Sequence, residues 1–156
     1  MCKFCWGLSV VLIAAIVGMG YMFVIRGNVM ASDDGRTAII LTAGERDLVL
    51  GEMRGFLESV EAITAGLGDK DMKTIATNAH KVGMANAQEV PVSLTTKLPL
   101  EFKKLGMATH KAFDALAMEA QDMGDPQKIL RSLGELLGNC TTCHSSYRLE
   151  AEKTGG

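Results

Sequence analysis

The hydrophobic and polar positions of this chain fall into one uncharged apolar run followed by four stretches of helical period. Phe4 to Ile25 holds no charged residue, and its length suffices to cross a bilayer as a helix. Gly27 to Ile40 is polar and Gly-containing and reads as a linker. Thr42-Ala43-Gly44-Glu45 reads as a capping box, in which the Thr hydroxyl and the Glu carboxylate each satisfy a backbone N–H. Val49, Met53, Phe56, Val60, Ile63 and Leu67 then recur at steps of four and three, one face of a helix. Gly66 and Gly68 predict its end.

Asp69 or Asp71 opens a second helix with Met72, Ile75, Ala79 and Val82 inward, fading near Ala87. Gln88 to Lys97, with Pro91, predicts a loop. Pro99 suits the first position of a third helix. Its stripe is Phe102, Leu105, Thr109, Phe113, Leu116, Ala120 and Met123, and Gly124 stops it. Asp125-Pro126 opens a fourth, Asp as cap and Pro in the first turn. Leu130, Leu133, Leu137, Cys140, His144 and Tyr147 lie along its inner face. No internal repeat, low-complexity tract or strand-period run stands out. The pattern predicts an all-α helical bundle over residues 32–156, behind an N-terminal anchor or signal segment, residues 1–31.

At 156 residues the chain is one domain plus an appendage. Scarce aromatics, frequent Met and Ala and only three Pro suit a bundle packed by aliphatic side chains. Of 16 basic residues only Lys3 and Arg26 precede position 31; the 14 others face 18 acidic residues, a net of −4. Such a mildly acidic domain has no basic tract for nucleic acid. The four Cys are not a disulfide framework, because Cys2 and Cys5 sit at the extreme N-terminus and the other two share one motif. Cys2 and Cys5 read as ordinary reduced thiols facing the cytoplasm.

That motif is Cys140-Thr141-Thr142-Cys143-His144, a C-x-x-C-H run that is the attachment signature of c-type haem. On a helix the two Cys lie on one face, so each thiol can add across a haem vinyl group. His144 follows at once as the proximal axial ligand. A thioredoxin-like redox pair needs a βαβ pattern, and a zinc site needs further ligands at short spacing; His80 and His110 are distant in sequence. Both His80 and His110 read as solvated or hydrogen-bonded helix residues. Met72, Met84, Met107, Met118 and Met123 read as packing or surface. Nothing after His144 supplies a Met or His, so the opposite haem face must be covered from upstream or left open.

An apolar core of this length favours an uncleaved anchor over a signal, whose core is usually about 7–15 residues. Val29-Met30-Ala31 before Ser32 offers a cleavage site. Both readings export the rest of the chain. Maturation of c-type haem outside the cytoplasmic membrane of bacteria orients the domain to the periplasmic side.

Four amphipathic helices with Cys140-x-x-Cys143-His144-x-x-Tyr147-Arg148 on the last resemble cytochrome c prime, the class II cytochromes c, here in a membrane-anchored variant. The resemblance spans about Leu41 to Lys153. It implies an antiparallel four-helix bundle, one covalent haem c with its iron, and often a homodimer. It further implies that Arg148 lies beside His144 on the proximal face and that Tyr147 packs against the porphyrin. Arg46 would then meet a haem propionate, with Leu50 one turn on covering the distal face and leaving the iron five-coordinate. Low-spin relatives place a Met from the first helix on the iron, which makes Met53 the alternative distal ligand; Met53 also reads as core filler.

Electron transfer at the membrane is the first expectation, with membrane-bound or periplasmic redox proteins as partners and lipid around the N-terminal helix. A module binding NO or CO is the second, and an accessory subunit of a larger respiratory or photosynthetic complex the third. No acid–base or nucleophile constellation points to an enzyme.

Overall fold

The uncharged run forms helix α1, Lys3–Gly20, continued by a π-helical turn, Tyr21–Arg26. Trp6–Arg26 has a mean hydropathy of 2.5 and contains no buried residue. The structure, a computed structural model, describes residues 3–87, 90–122 and 124–152, without the side chains of residues 4, 5, 86 and 87. Cys2, Gln88 and Met123, and the Cys5 side chain, lie outside the described residues.

The stretch after Arg26 is not a linker. Val29–Ala31 forms strand β1 and Thr37–Leu41 strand β2, paired antiparallel with Val29 opposite Ile39. Gly35, at φ +82, makes the turn between them. β2 then pairs in parallel with strand β3, Tyr147–Ala151, with Thr37 opposite Tyr147 and Leu41 opposite Ala151. Ala38, Ile39 and Leu41 are buried, as a central strand's apolar run should be.

Helix α2, Ala43–Asp69, carries the capping box at Thr42 and Glu45 as expected. It outlasts Gly66 and Gly68 and ends on Lys70 at φ +57. Gly66 serves a close approach instead: a Cβ there would stand 2.8 Å from Ile75 Cγ1. Asp71 caps α3, Met72–Lys81, accepting from the Thr74 N–H. A short α4, Met84–Ala87, follows. Part of the expected loop is helix α5, Val92–Lys97, with Pro91 at its N-cap. Helix α6 is Leu100–Asp122. Helix α7, Pro126–Ser146, has the Asp125 cap and first-turn Pro that the sequence predicts.

The antiparallel four-helix bundle is therefore corrected. The described chain is mostly helical, but it adds short helices and a three-stranded open sheet of order β1-β2-β3. Two cores result. The first packs α2, α3, α6 and α7 around Ile63, Ile75, Phe113, Leu116 and Ile129, and each such buried side chain contributes about 1.5–3 kcal/mol. The second joins the sheet to the helices through Ile39, Leu41, Val49, Leu94, Leu98 and Phe102. Lys97 ties its edge together, 2.8 Å from Glu45 and 2.9 Å from Glu152.

Candidate functional site

The inner face of α7 keeps Leu133 and Cys140 of the expected stripe but not Leu130 or Leu137. Leu130 and Leu137 are exposed, while Ile129, Leu133 and Leu136 are buried. Continuing the steps of four and three from Leu136 reaches Cys140 and then Cys143. Both are free thiols, partly buried. Cys140 packs against the first core and Cys143 against the second, so the pair bridges the junction of the two. His144 lies on the flank of this stripe, exposed in the last turn of α7.

Two cavities meet at this junction. One, of about 170 Å³, is lined among others by Arg46, Leu50, Cys143, His144, Tyr147 and Arg148. The other, of about 80 Å³, is lined by Cys140 and by Val49, Phe56 and Thr109 among others. Met53, Phe102, Cys143 and His144 line both. The structure thus brings all eight sequence-predicted residues around one place. Met53 stands on both sides of it and packs against the second core, whereas Leu50 lines only the larger cavity.

Tyr147 and Arg148 arrive by a different route from the expected one. The helix stops at Ser146, and both residues lie in β3. Tyr147 packs edge-on against Phe102, ring centroids 5.4 Å apart. Arg148 donates to Ser32 Oγ at 3.1 Å and to Asp34 Oδ2 at 3.2 Å, and pairs with Glu150 at 3.1 Å. Arg46, half-buried in the first turn of α2, has a guanidinium without an ion-pair partner among the described residues.

Arg36 was not foreseen. It lines the larger cavity and donates to the backbone carbonyl of His144 at 3.2 Å. Asp34-Gly35 is a turn signal, but nothing local places Arg36 at the end of α7. Phe102 and Leu149 were also missed as lining residues, because cavity walls from separate elements leave no local pattern.

The chemistry of the donors is specific. Burial pushes the Cys140 thiol up, and burial followed by the neighbouring Cys140 pushes Cys143 up to about 11. Both stay protonated at neutral pH. The thiolate, not the thiol, is the redox nucleophile and metal ligand. Among the described residues no group of three or more His, Cys, Asp or Glu could hold a bare metal ion. His80 is exposed beside Asp114, 3.4 Å away. His110 is buried with both ring nitrogens engaged, Nδ1 on the Val82 carbonyl at 2.8 Å and Nε2 on Glu52 at 3.1 Å. Neither imidazole joins the thiols. Two thiols beside apolar walls, with an imidazole and a guanidinium that have no ion-pair partner among the described residues, are a donor set that a haem could use.

No curated protein and no solved structure matches the chain. Residues 97–148 match the family described as Cytochrome C', a general link of the segment holding both thiols, His144, Tyr147 and Arg148 to haem-binding electron carriers.

Proposed function

We propose that this chain is a membrane-anchored c-type cytochrome that holds one haem through Cys140 and Cys143 and passes electrons. The observation that carries the reading is the placement of both thiols and His144 on the walls of two adjoining cavities at the end of one helix. Haem, when bound, supplies a one-electron couple. The residues of this chain hold and shield it. Cys140 and Cys143 would hold it covalently, and His144, whose ring has no other partner among the described residues, would ligate its iron. Leu50, Met53, Phe102 and Leu149 would shield it from water, and the guanidinium of Arg46 would be available to a haem carboxylate.

A second function, binding NO or CO, draws support from Leu50, an apolar side chain that cannot ligate iron and that shares a cavity with His144. The localisation belongs to the same proposal: α1 lies in the bacterial cytoplasmic membrane and the domain on the periplasmic side, where membrane-bound or periplasmic redox proteins reach it. Support for a retained anchor comes from β1. Its residues are paired with β2, and a cut after Ala31 would remove them.

Denatured protein is expected to keep its haem, and the double variant Cys140→Ala, Cys143→Ala is expected to lose covalent attachment. Complete release of haem from the native sequence by acid–organic extraction would sink the proposal.

A further inference from the structure

We propose that Arg36, at the tip of the β1–β2 hairpin, is a positioning residue for His144, and that the hairpin is a latch across the turn that carries this imidazole. The inference rests on the haem reading for what His144 does; the latch itself stands on contacts within the chain.

The last carbonyls of a helix lack intrahelical partners. In α7 the Tyr147 N–H returns to the Cys143 carbonyl, and Tyr147 is already extended, at φ −128 and ψ 155. The chain therefore enters β3 without the left-handed residue that usually closes a helix end. The His144 carbonyl is taken instead by Arg36 Nη1 at 3.2 Å, and the same nitrogen stands 3.5 Å from the Tyr147 carbonyl. Sequence distance makes this a tertiary cap, supplied from the other end of the chain.

The guanidinium is held for that task. Its Nε and Nη2 both donate to Asp34 Oδ2, at 2.9 and 2.7 Å, which leaves Nη1 for the helix end. The Arg36 backbone N–H donates to Asp34 Oδ1 at 3.1 Å. Asp34 Oδ2 also accepts from Arg148 Nη1, which reaches Ser32 Oγ as well. One carboxylate on the hairpin thus joins two cations that flank His144, one bonded to its carbonyl and one four residues on. The parallel ladder from Thr37–Tyr147 onward holds the hairpin in register. Arg36 and Asp34 remain about one-third exposed, and exposed ion pairs add little to global stability. Their effect is local order at the turn.

The test uses full-length protein with its haem: the native sequence, Arg36→Gln and Asp34→Asn. Amide exchange over residues 144–147 is expected to accelerate roughly two- to tenfold in Arg36→Gln, the range one such hydrogen bond commands, with the cores of α3 and α6 unchanged. The ferric electron paramagnetic resonance, which reports the axial field in either spin state, is expected to shift with it. Asp34→Asn, which frees the guanidinium fork, should move both readouts in the same direction and serves if Arg36→Gln does not accumulate. Unchanged exchange overturns the latch. Uniform acceleration in every helix overturns it too, because Arg36 is then only structural. Faster exchange with an unmoved resonance overturns the positioning role, and a moved resonance without faster exchange leaves charge alone as the cause. Native protein that carries no haem would sink the haem reading while the exchange comparison still decides the latch.

Discussion

At the residue scale, His110 shows how a buried polar group is retained in an aliphatic core. It is 3% exposed, packed edge-on to Phe56 with centroids 5.0 Å apart. Burial by itself lowers its pKa, but the Glu52 carboxylate and the Val82 carbonyl outweigh burial and raise it above its ordinary 6.5. A raised pKa means that the folded state binds the proton more tightly than the unfolded chain. The stabilisation is fully present below about pH 6.5 and is lost as pH rises through the folded value. Chemical denaturation should therefore give a lower midpoint at about pH 8.5 than at about pH 6. Glu52→Gln should flatten that difference; an equal slope in the variant would show that another group is responsible. The distal side sets the next test. Leu50 and Met53 share a helix face at a spacing of three but differ by most of a turn along the axis, so they cannot both be centred on one atom. In the five-coordinate reading Leu50 covers the iron, and Leu50→Ala should speed CO binding about tenfold, a barrier lowered by ~1.4 kcal/mol. A low-spin ferric spectrum that turns high-spin in Met53→Ala, with Leu50→Ala silent, would assign the distal place to Met53.

At the element scale, the N-terminal hairpin is where sequence and structure part. Local signals placed the helices well: the capping box at Thr42, the Asp71 cap and the Asp125-Pro126 start all hold in the structure. Each is a short-range device with its own hydrogen bonds. The strands were illegible to a search for alternation, because β2 is buried on both faces and reads as a continuous apolar run. One of its two partners is distant in sequence: β3 pairs with it across more than a hundred residues. The residues of the candidate site were legible where they form a contiguous motif, Cys140, Cys143 and His144, and where they share one stripe of α2. Arg36 was not, because only the hairpin brings it to α7. The same hairpin begins at Gly27, whose φ of +69 and close backbone neighbours exclude a side chain. A Cβ there would run into the Lys97 carbonyl and stand 2.7 Å from the Pro99 nitrogen. Gly27→Ala is expected to destabilise the domain by roughly 1–3 kcal/mol, read as a lower denaturant midpoint at unchanged slope. An unchanged midpoint would mean that this segment is the flexible linker its composition suggests.

At the scale of the whole molecule, the apolar helix and the domain are joined without slack. The π-helical turn ends at Arg26, and Asn28 N–H already donates to the Lys97 carbonyl at 2.7 Å. Lys103 Nζ reaches back to the Val24 carbonyl at 2.9 Å. The Asn28 side chain donates to the Ile40 carbonyl at 3.0 Å, and the Ile40 N–H to the Asn28 carbonyl at 2.9 Å. In the proposed anchored form these contacts would give the Cys140–His144 motif a fixed attitude relative to the apolar helix. Anchoring of this kind would raise the effective concentration of the domain for the membrane-bound partners of the proposal. The expected outcome is that protein extracted from membranes keeps residues 1–31, apart from processing of the initiator Met. Intact mass spectrometry of that protein, together with the haem mass, checks it directly. A mature N-terminus at Ser32 would show that the apolar run is a signal, that β1 is discarded, and that the domain works free in the periplasm with β2 as an edge strand.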